Sequence, residues 1–186
     1  MNVIIVDNGT SYIDHLTKLF AHDTCVVVHI DDIRLDSIAP GTLVVLSGGR
    51  TFPVAWHDKY YAKELDLIRH YDGPILGICL GFELIAHAYN HRLTRLPRRV
   101  HTERVITINE EGRHYFSQSH VTVFESHRYA LRRARYPLVA LGTTRNTIEI
   151  MRHATKPILA VQFHPEKFSG EQGTVFLDEL LQVLEG

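Results

Sequence analysis

The chain of 186 residues carries 20 Lys and Arg against 21 Asp and Glu, a formal net charge of −1 at pH 7, so neither nucleic acid nor an anionic membrane is expected as its main partner. That length suits one α/β domain spanning residues 1–186 and burying roughly 70% of its unfolded surface. The apolar runs are strand-sized, and Met1 to Val6 meets Asp7 too soon for a signal peptide or a spanning helix, which leaves a cytoplasmic location as the expectation.

Residues 3–6 read as a buried strand, and Asp7-Asn8-Gly9-Thr10-Ser11 as a turn with capping residues before an amphipathic helix to about residue 20. A second strand over residues 25–30 contains Cys25 as a core residue; with only Cys79 besides, no disulfide is expected. A third strand over residues 43–46 ends in Ser47-Gly48-Gly49-Arg50. This glycine turn lacks the Gly-Lys-Ser/Thr of a phosphate loop. A helix is expected over residues 56–71, closed by Asp72-Gly73-Pro74.

Pro74 to Ile78 is another apolar run, and it meets Cys79 between Gly77 and Gly81 before an amphipathic helix to residue 90. A reactive residue on a sharp strand-to-helix turn needs close neighbours without β-carbons, which is the logic of a nucleophile elbow. The helix N-terminus there favours a thiolate. On that helix His87 and, just beyond it, His91 are spaced for a metal, but no third ligand stands at a telling spacing; both are read as solvated, and neither metal nor cofactor is expected.

Arg92, Arg95, Arg98 and Arg99, and then Arg132, Arg133 and Arg135, form basic runs without interleaved aromatics, read as solvated faces or as a docking surface. Residues 103–108 and 121–124 alternate as antiparallel strands added to the sheet edge. Residues 139–141 and 148–151 read as further strands, residues 157–161 as a buried strand leading to Gln162-Phe163-His164-Pro165-Glu166, and residues 171–184 as a closing helix. The alternation predicts an open, mostly parallel sheet with helices on both faces. Strand ends of one parallel sheet share an edge, so His164 can face Cys79 as a base while Glu166 orients its ring.

Gly-Ile-Cys-Leu-Gly at residues 77–81 and Gln-Phe-His-Pro-Glu at residues 162–166 resemble the signatures of the class I glutamine amidotransferases, in the right order and over nearly the whole chain. The resemblance implies Cys79 as nucleophile, His164 as base and Glu166 as orienting acid, with the N–H groups of Gly49 and Leu80 as the oxyanion hole. It also implies substrate contacts at Glu83, where the family usually carries glutamine, and at Ser126, His127 and Tyr129, which resemble a Ser-His-x-Asp stretch that binds the amino-acid end of glutamine. Tyr129 replaces that aspartate, and Arg50 stands where the family usually has proline. His127 is set aside as a rival base for want of a carboxylate in a strand-end motif.

The leading expectation is a glutaminase subunit that forms a γ-glutamyl thioester and supplies ammonia to a synthase on another polypeptide. Leu80-Gly81-Phe82-Glu83 and His164-Pro165-Glu166-Lys167 also look like stretches of γ-glutamyl hydrolases, so a free-standing γ-glutamyl amide hydrolase is a second expectation. A non-catalytic regulatory subunit is a third, disfavoured by the intact Cys, His and Glu.

Overall fold

A computed structural model describes residues 1–32, 34–49, 53–168 and 170–185; Arg50, one of the residues singled out above, lies outside the described residues. The runs richest in Val, Ile and Leu form the middle of one sheet. These are β1 (Asn2–Asn8), β3 (Leu43–Gly49), β4 (Ile75–Ile78) and β11 (Ile158–Val161), with β2 (Thr24–His29) at the edge, in the order β2-β1-β3-β4-β11 and all parallel. Strands buried on both faces cannot alternate in polarity, and β4 and β11 are wholly buried.

Beyond β11 the sheet continues antiparallel through β10 (Ile148–His153), β9 (Leu138–Thr143), β6 (Thr102–Ile108) and β7 (His120–Glu125). Parallel pairing is thus confined to the five strands that carry the elbow and the histidine motif. Two apolar layers cover the sheet. Leu65 and Ile68 of α2 (Ala62–His70) pack with Leu84 and Ile85 of α3 (Leu80–Ala88) on one face. Leu16 of α1 (Ile13–Leu19) packs with Phe176 and Leu180 of α4 (Gly170–Glu185) on the other.

Three local expectations are corrected, and two short strands are added. Cys25 is half-buried rather than core, because β2 is an edge strand that leaves Val26 and Val27 exposed. Asp7 accepts from the N–H groups of Gly9 (2.9 Å) and Thr10 (3.2 Å), so it closes a turn ahead of α1 instead of capping it; the cap residue is Tyr12, without a side-chain bond. The helix expected from residue 56 begins at Ala62, and Trp56 sits in a short 3-10 turn, Val54–Trp56, 70% exposed. Two three-residue strands, β5 (Leu93–Arg95) and β8 (Tyr129–Leu131), pair with each other, and β8 joins β10. Each is too short to show an alternating pattern.

Registry fixes what the sheet edge presents. Leu46 pairs with Gly77 and Ile78 with Val161, so β3, β4 and β11 end side by side. Gly49 closes β3, and Cys79 and His164 follow the ends of β4 and β11.

Candidate active site

Cys79 sits at φ 52°, ψ −96° as the residue before α3. A non-glycine residue held in that region costs on the order of 1–3 kcal/mol and needs a surrounding that fixes it. The fixing is visible: Cys79 N–H donates to the Val161 carbonyl (2.9 Å), the Cys79 carbonyl accepts from Glu83 N–H (3.1 Å), and a β-carbon on Gly77 would run into the Gly81 carbonyl. The turn lifts the side chain off the strand end and against the 126–129 loop, where the thiol donates to the Ser126 carbonyl at 3.6 Å.

His164 Nδ1–H donates to Glu166 Oε1 at 2.7 Å, which leaves Nε2 as the accepting nitrogen. Both residues are buried, and the ring stands edge-on to Tyr12 at 5.2 Å. A β-carbon on Gly48 would lie 3.0 Å from His164 Cε1 and 3.5 Å from Cys79 Cβ, so one small gap separates the two side chains. A small cleft lined by both, with Tyr12 and Gly49, opens there.

Adjoining it is a cavity of about 410 Å³. Gly49, Leu80 and Glu83 line one part of it, and Ser126, His127 and Tyr129 another. Seven of the residues expected at the site therefore meet around one space, counting Cys79, with His164 and Glu166 next to it. Arg99 and Arg128 line the cavity too, and the sequence reading had missed them there. Arg99 donates to Ser126 Oγ at 2.8 Å, so one residue of a run read as solvated faces the site. Nothing around Arg99 in the sequence signals this, because its place depends on the pairing of β5 with β8.

The electrostatics differ from the elbow expectation. Burial pushes the Cys79 thiol well above the ordinary range, the carboxylates of Glu83 and Glu166 push it further, and the Leu80 N–H and the Arg99 guanidinium only partly offset this. Desolvation outweighs the helix N-terminus, and the resting group is a protonated thiol. Glu83 is 6% exposed, and His87, on the same helix, pairs with Asp58 (2.8 Å). Burial raises the Glu83 carboxyl to about 8, with nearby Gln162 opposing the rise although its amide has no hydrogen-bond partner among the described residues.

His127 does have a neighbouring carboxylate, contrary to the sequence reading, because Glu125 ends β7 beside it (Nε2 to Oε2, 3.1 Å). Its Nδ1–H donates to the Tyr129 carbonyl at 2.7 Å, so neither nitrogen is left to act on Cys79. His91 is buried rather than solvated, accepting the Arg135 N–H at 2.9 Å on Nε2.

The family described as Glutamine amidotransferase class-I matches residues 4–183. Aminodeoxychorismate synthase component 2 of Escherichia coli is 30% identical over 96% of this chain and 98% of its own length. The glutamine-hydrolyzing GMP synthase subunit of Methanosarcina barkeri is 35% identical, covering 87% of this chain and 91% of its own. A crystal structure of a Thermoplasma acidophilum protein assigned to a GMP synthase matches with a TM-score of 0.83 at 21% identity, over 100% of this chain and 94% of that one, a likeness of fold.

Proposed function

The chain belongs to the class I glutamine amidotransferase family, and on that premise we propose that it hydrolyses the glutamine side-chain amide at Cys79 and supplies the ammonia to a separate synthase. The observation that carries this reading is the meeting of a strained, glycine-flanked cysteine and a carboxylate-oriented histidine at the ends of the adjacent strands β4 and β11.

The thiol proton passes to His164 Nε2 as the sulphur bonds to the amide carbon. Charge gathering on the carbonyl oxygen is met by the N–H groups of Gly49 and Leu80; a single such donor is typically worth about 10² to 10³ in rate. Collapse breaks the carbon–nitrogen bond, and ammonia leaves with the proton from His164. Water, giving a proton back to His164, then attacks the γ-glutamyl thioester and releases glutamate and the thiol. Glu166 holds the ring in the tautomer that serves both steps. A free amino acid brings an ammonium and a carboxylate, and the cavity offers Glu83 for the first and Arg99 and Arg128 for the second.

One observation favours a second reading, a hydrolase of γ-glutamyl amides: a buried carboxyl, Glu83, stands where the resemblance implies a glutamine. The deciding experiment is mass spectrometry of the chain after exposure to diazo-oxo-norleucine, followed by turnover of glutamine and of γ-glutamyl peptides. Labelling at Cys79 with preference for glutamine is expected. An unlabelled Cys79 would sink both readings, and preference for the peptides would select the second.

A further inference from the structure

A second cluster beside the reacting groups is left unused by this chemistry. Glu125 closes β7, His127 follows it, and Glu149 stands on β10; one side-chain atom of each lies within 4.8 Å of the other two, and all three residues are buried. The His127 ring faces acceptors on both nitrogens, the Tyr129 carbonyl at 2.7 Å and Glu125 Oε2 at 3.1 Å, so a proton must lie in the second contact as well as the first. Glu149 completes the group, accepting from Thr147 Oγ1 (2.5 Å) and Thr144 Oγ1 (3.4 Å). Burial, and then the charge of Glu125, raises its carboxyl to about 7, while Thr147, His127 and Arg104 oppose the rise. Arg104 Nε itself lies 3.7 Å from Glu125 Oε2.

The backbone of this cluster reaches the reacting groups on three sides. The Phe124 carbonyl, next to Glu125, accepts the His164 N–H at 2.9 Å. The Ser126 carbonyl, between the two cluster residues of the loop, accepts from the Cys79 thiol. The Glu149 carbonyl accepts the Gln162 N–H at 2.9 Å, two residues before His164. His127 further exchanges backbone bonds with Val100 at 3.2 and 2.9 Å, next to the Arg99 that holds Ser126 Oγ.

We propose that His127 is a positioning residue: held between Glu125 and the Tyr129 carbonyl, with the Glu149 carboxyl within 4.8 Å, it sets where the Ser126 carbonyl meets the Cys79 sulphur and keeps that wall of the cavity aligned with His164. This rests on the reading of Cys79 as nucleophile. Because a displacement of about 1 Å at reacting atoms can cost about 10²-fold in rate, the cluster acts on turnover without touching the amide.

The test measures kcat and KM for glutamine from pH 6 to 9 in the wild type, His127→Asn and Glu149→Gln, with melting temperatures and diazo-oxo-norleucine labelling in parallel. His127→Asn is expected to lower kcat by about 10²-fold. Burial and the charge of Glu125 hold the Glu149 carboxyl above the ordinary range, so it is most like the glutamine that replaces it at the acid end of this range; the kcat ratio of wild type to Glu149→Gln should be nearest one there and rise toward pH 9 as the carboxylate forms beside His127. A merely structural Glu149 gives a ratio independent of pH, which would overturn the proposal, as would a folded His127→Asn within twofold of wild type. Should His127→Asn fail to fold, the Glu149→Gln ratio decides. Stoichiometric metal in the purified protein, with turnover lost on chelation, would replace the proton-held cluster by a metal-held one and so overturn it too. Absent labelling of wild-type Cys79 defeats the nucleophile reading, whereas labelling with a flat ratio defeats the positioning role alone.

Discussion

Two buried histidines, His164 and His127, each stand two residues from a buried glutamate, and they differ in what the second nitrogen faces. His164 gives Nδ1–H to Glu166 and keeps Nε2 as an acceptor beside the gap that holds Cys79. His127 gives Nδ1–H to a backbone carbonyl and turns Nε2 to Glu125. An imidazole with one oriented proton and one free lone pair can move a proton; an imidazole with both nitrogens closed can only hold one. The contrast supports the proposed roles without recourse to motif: the open imidazole of His164 suits a base, and the closed one of His127 suits a support.

The contrast breaks first at the nucleophile. Cys79→Ser should lower glutamine hydrolysis by at least about 10⁴-fold while leaving the fold intact, because a hydroxyl beside the same histidine is the poorer nucleophile. Wild-type turnover in Cys79→Ser, read with an ammonia-release assay, would remove the open pair's partner and with it the distinction. His164→Ala should be nearly as damaging. Glu166→Ala should cost about 10²- to 10³-fold, since the ring survives without its orientation. Double variants of the three should lose little more than the worst single one, because the groups act as a unit; additive losses would argue for separate roles.

A smaller effect concerns the loop shared by both pairs. The resting thiol is protonated and bonded to the Ser126 carbonyl, and Tyr129, which stacks edge-on with the exposed Trp56 at 6.4 Å, lines the same cavity. A synthase that docks there can order this wall, so the isolated chain should hydrolyse glutamine slowly and accelerate severalfold with its partner. Turnover measured with and without candidate synthases checks it; high turnover by the chain alone counts against it.

The parallel half of the sheet, the elbow and the histidine strand were legible because long apolar runs and a cysteine between two glycines leave few alternatives. Of the antiparallel half, residues 103–108 and 121–124 were legible as antiparallel strands at the sheet edge, and the others only as strands. Its pairing brings Glu125, Ser126 and His127 to the edge beside Cys79, and nothing local in those residues announces which strands will lie between them. The same holds for Arg99, whose part depends on the pairing of two three-residue strands. The thiol's protonation was misread for another reason: a helix terminus is visible in sequence, whereas complete burial next to Glu83 and Glu166 is a property of the assembled site.

The smallest expected effect tests how far the open pair depends on the carboxyl across the cavity. Glu83 ionises near pH 8, and the Cys79 thiol above its ordinary range, so the thiol loses its proton when Glu83 is already charged. Replacing that charge by a neutral amide should lower the pH at which the thiolate forms. Glu83→Gln should therefore move the acidic limb of the rate profile, and of Cys79 alkylation, toward lower pH. It should also raise the ratio of glutamine to γ-glutamyl-peptide hydrolysis. Stability gives an independent sign. A carboxyl with a folded-state value near 8 and an unfolded value near 4.5 favours folding below the unfolded value, and that contribution is lost as pH rises to 8. The melting temperature of Glu83→Gln relative to wild type should thus climb between pH 5 and pH 8.5. A stability difference that climbs with an unmoved rate profile would keep Glu83 buried but uncouple it from the thiol, leaving burial and Glu166 to hold the proton on Cys79.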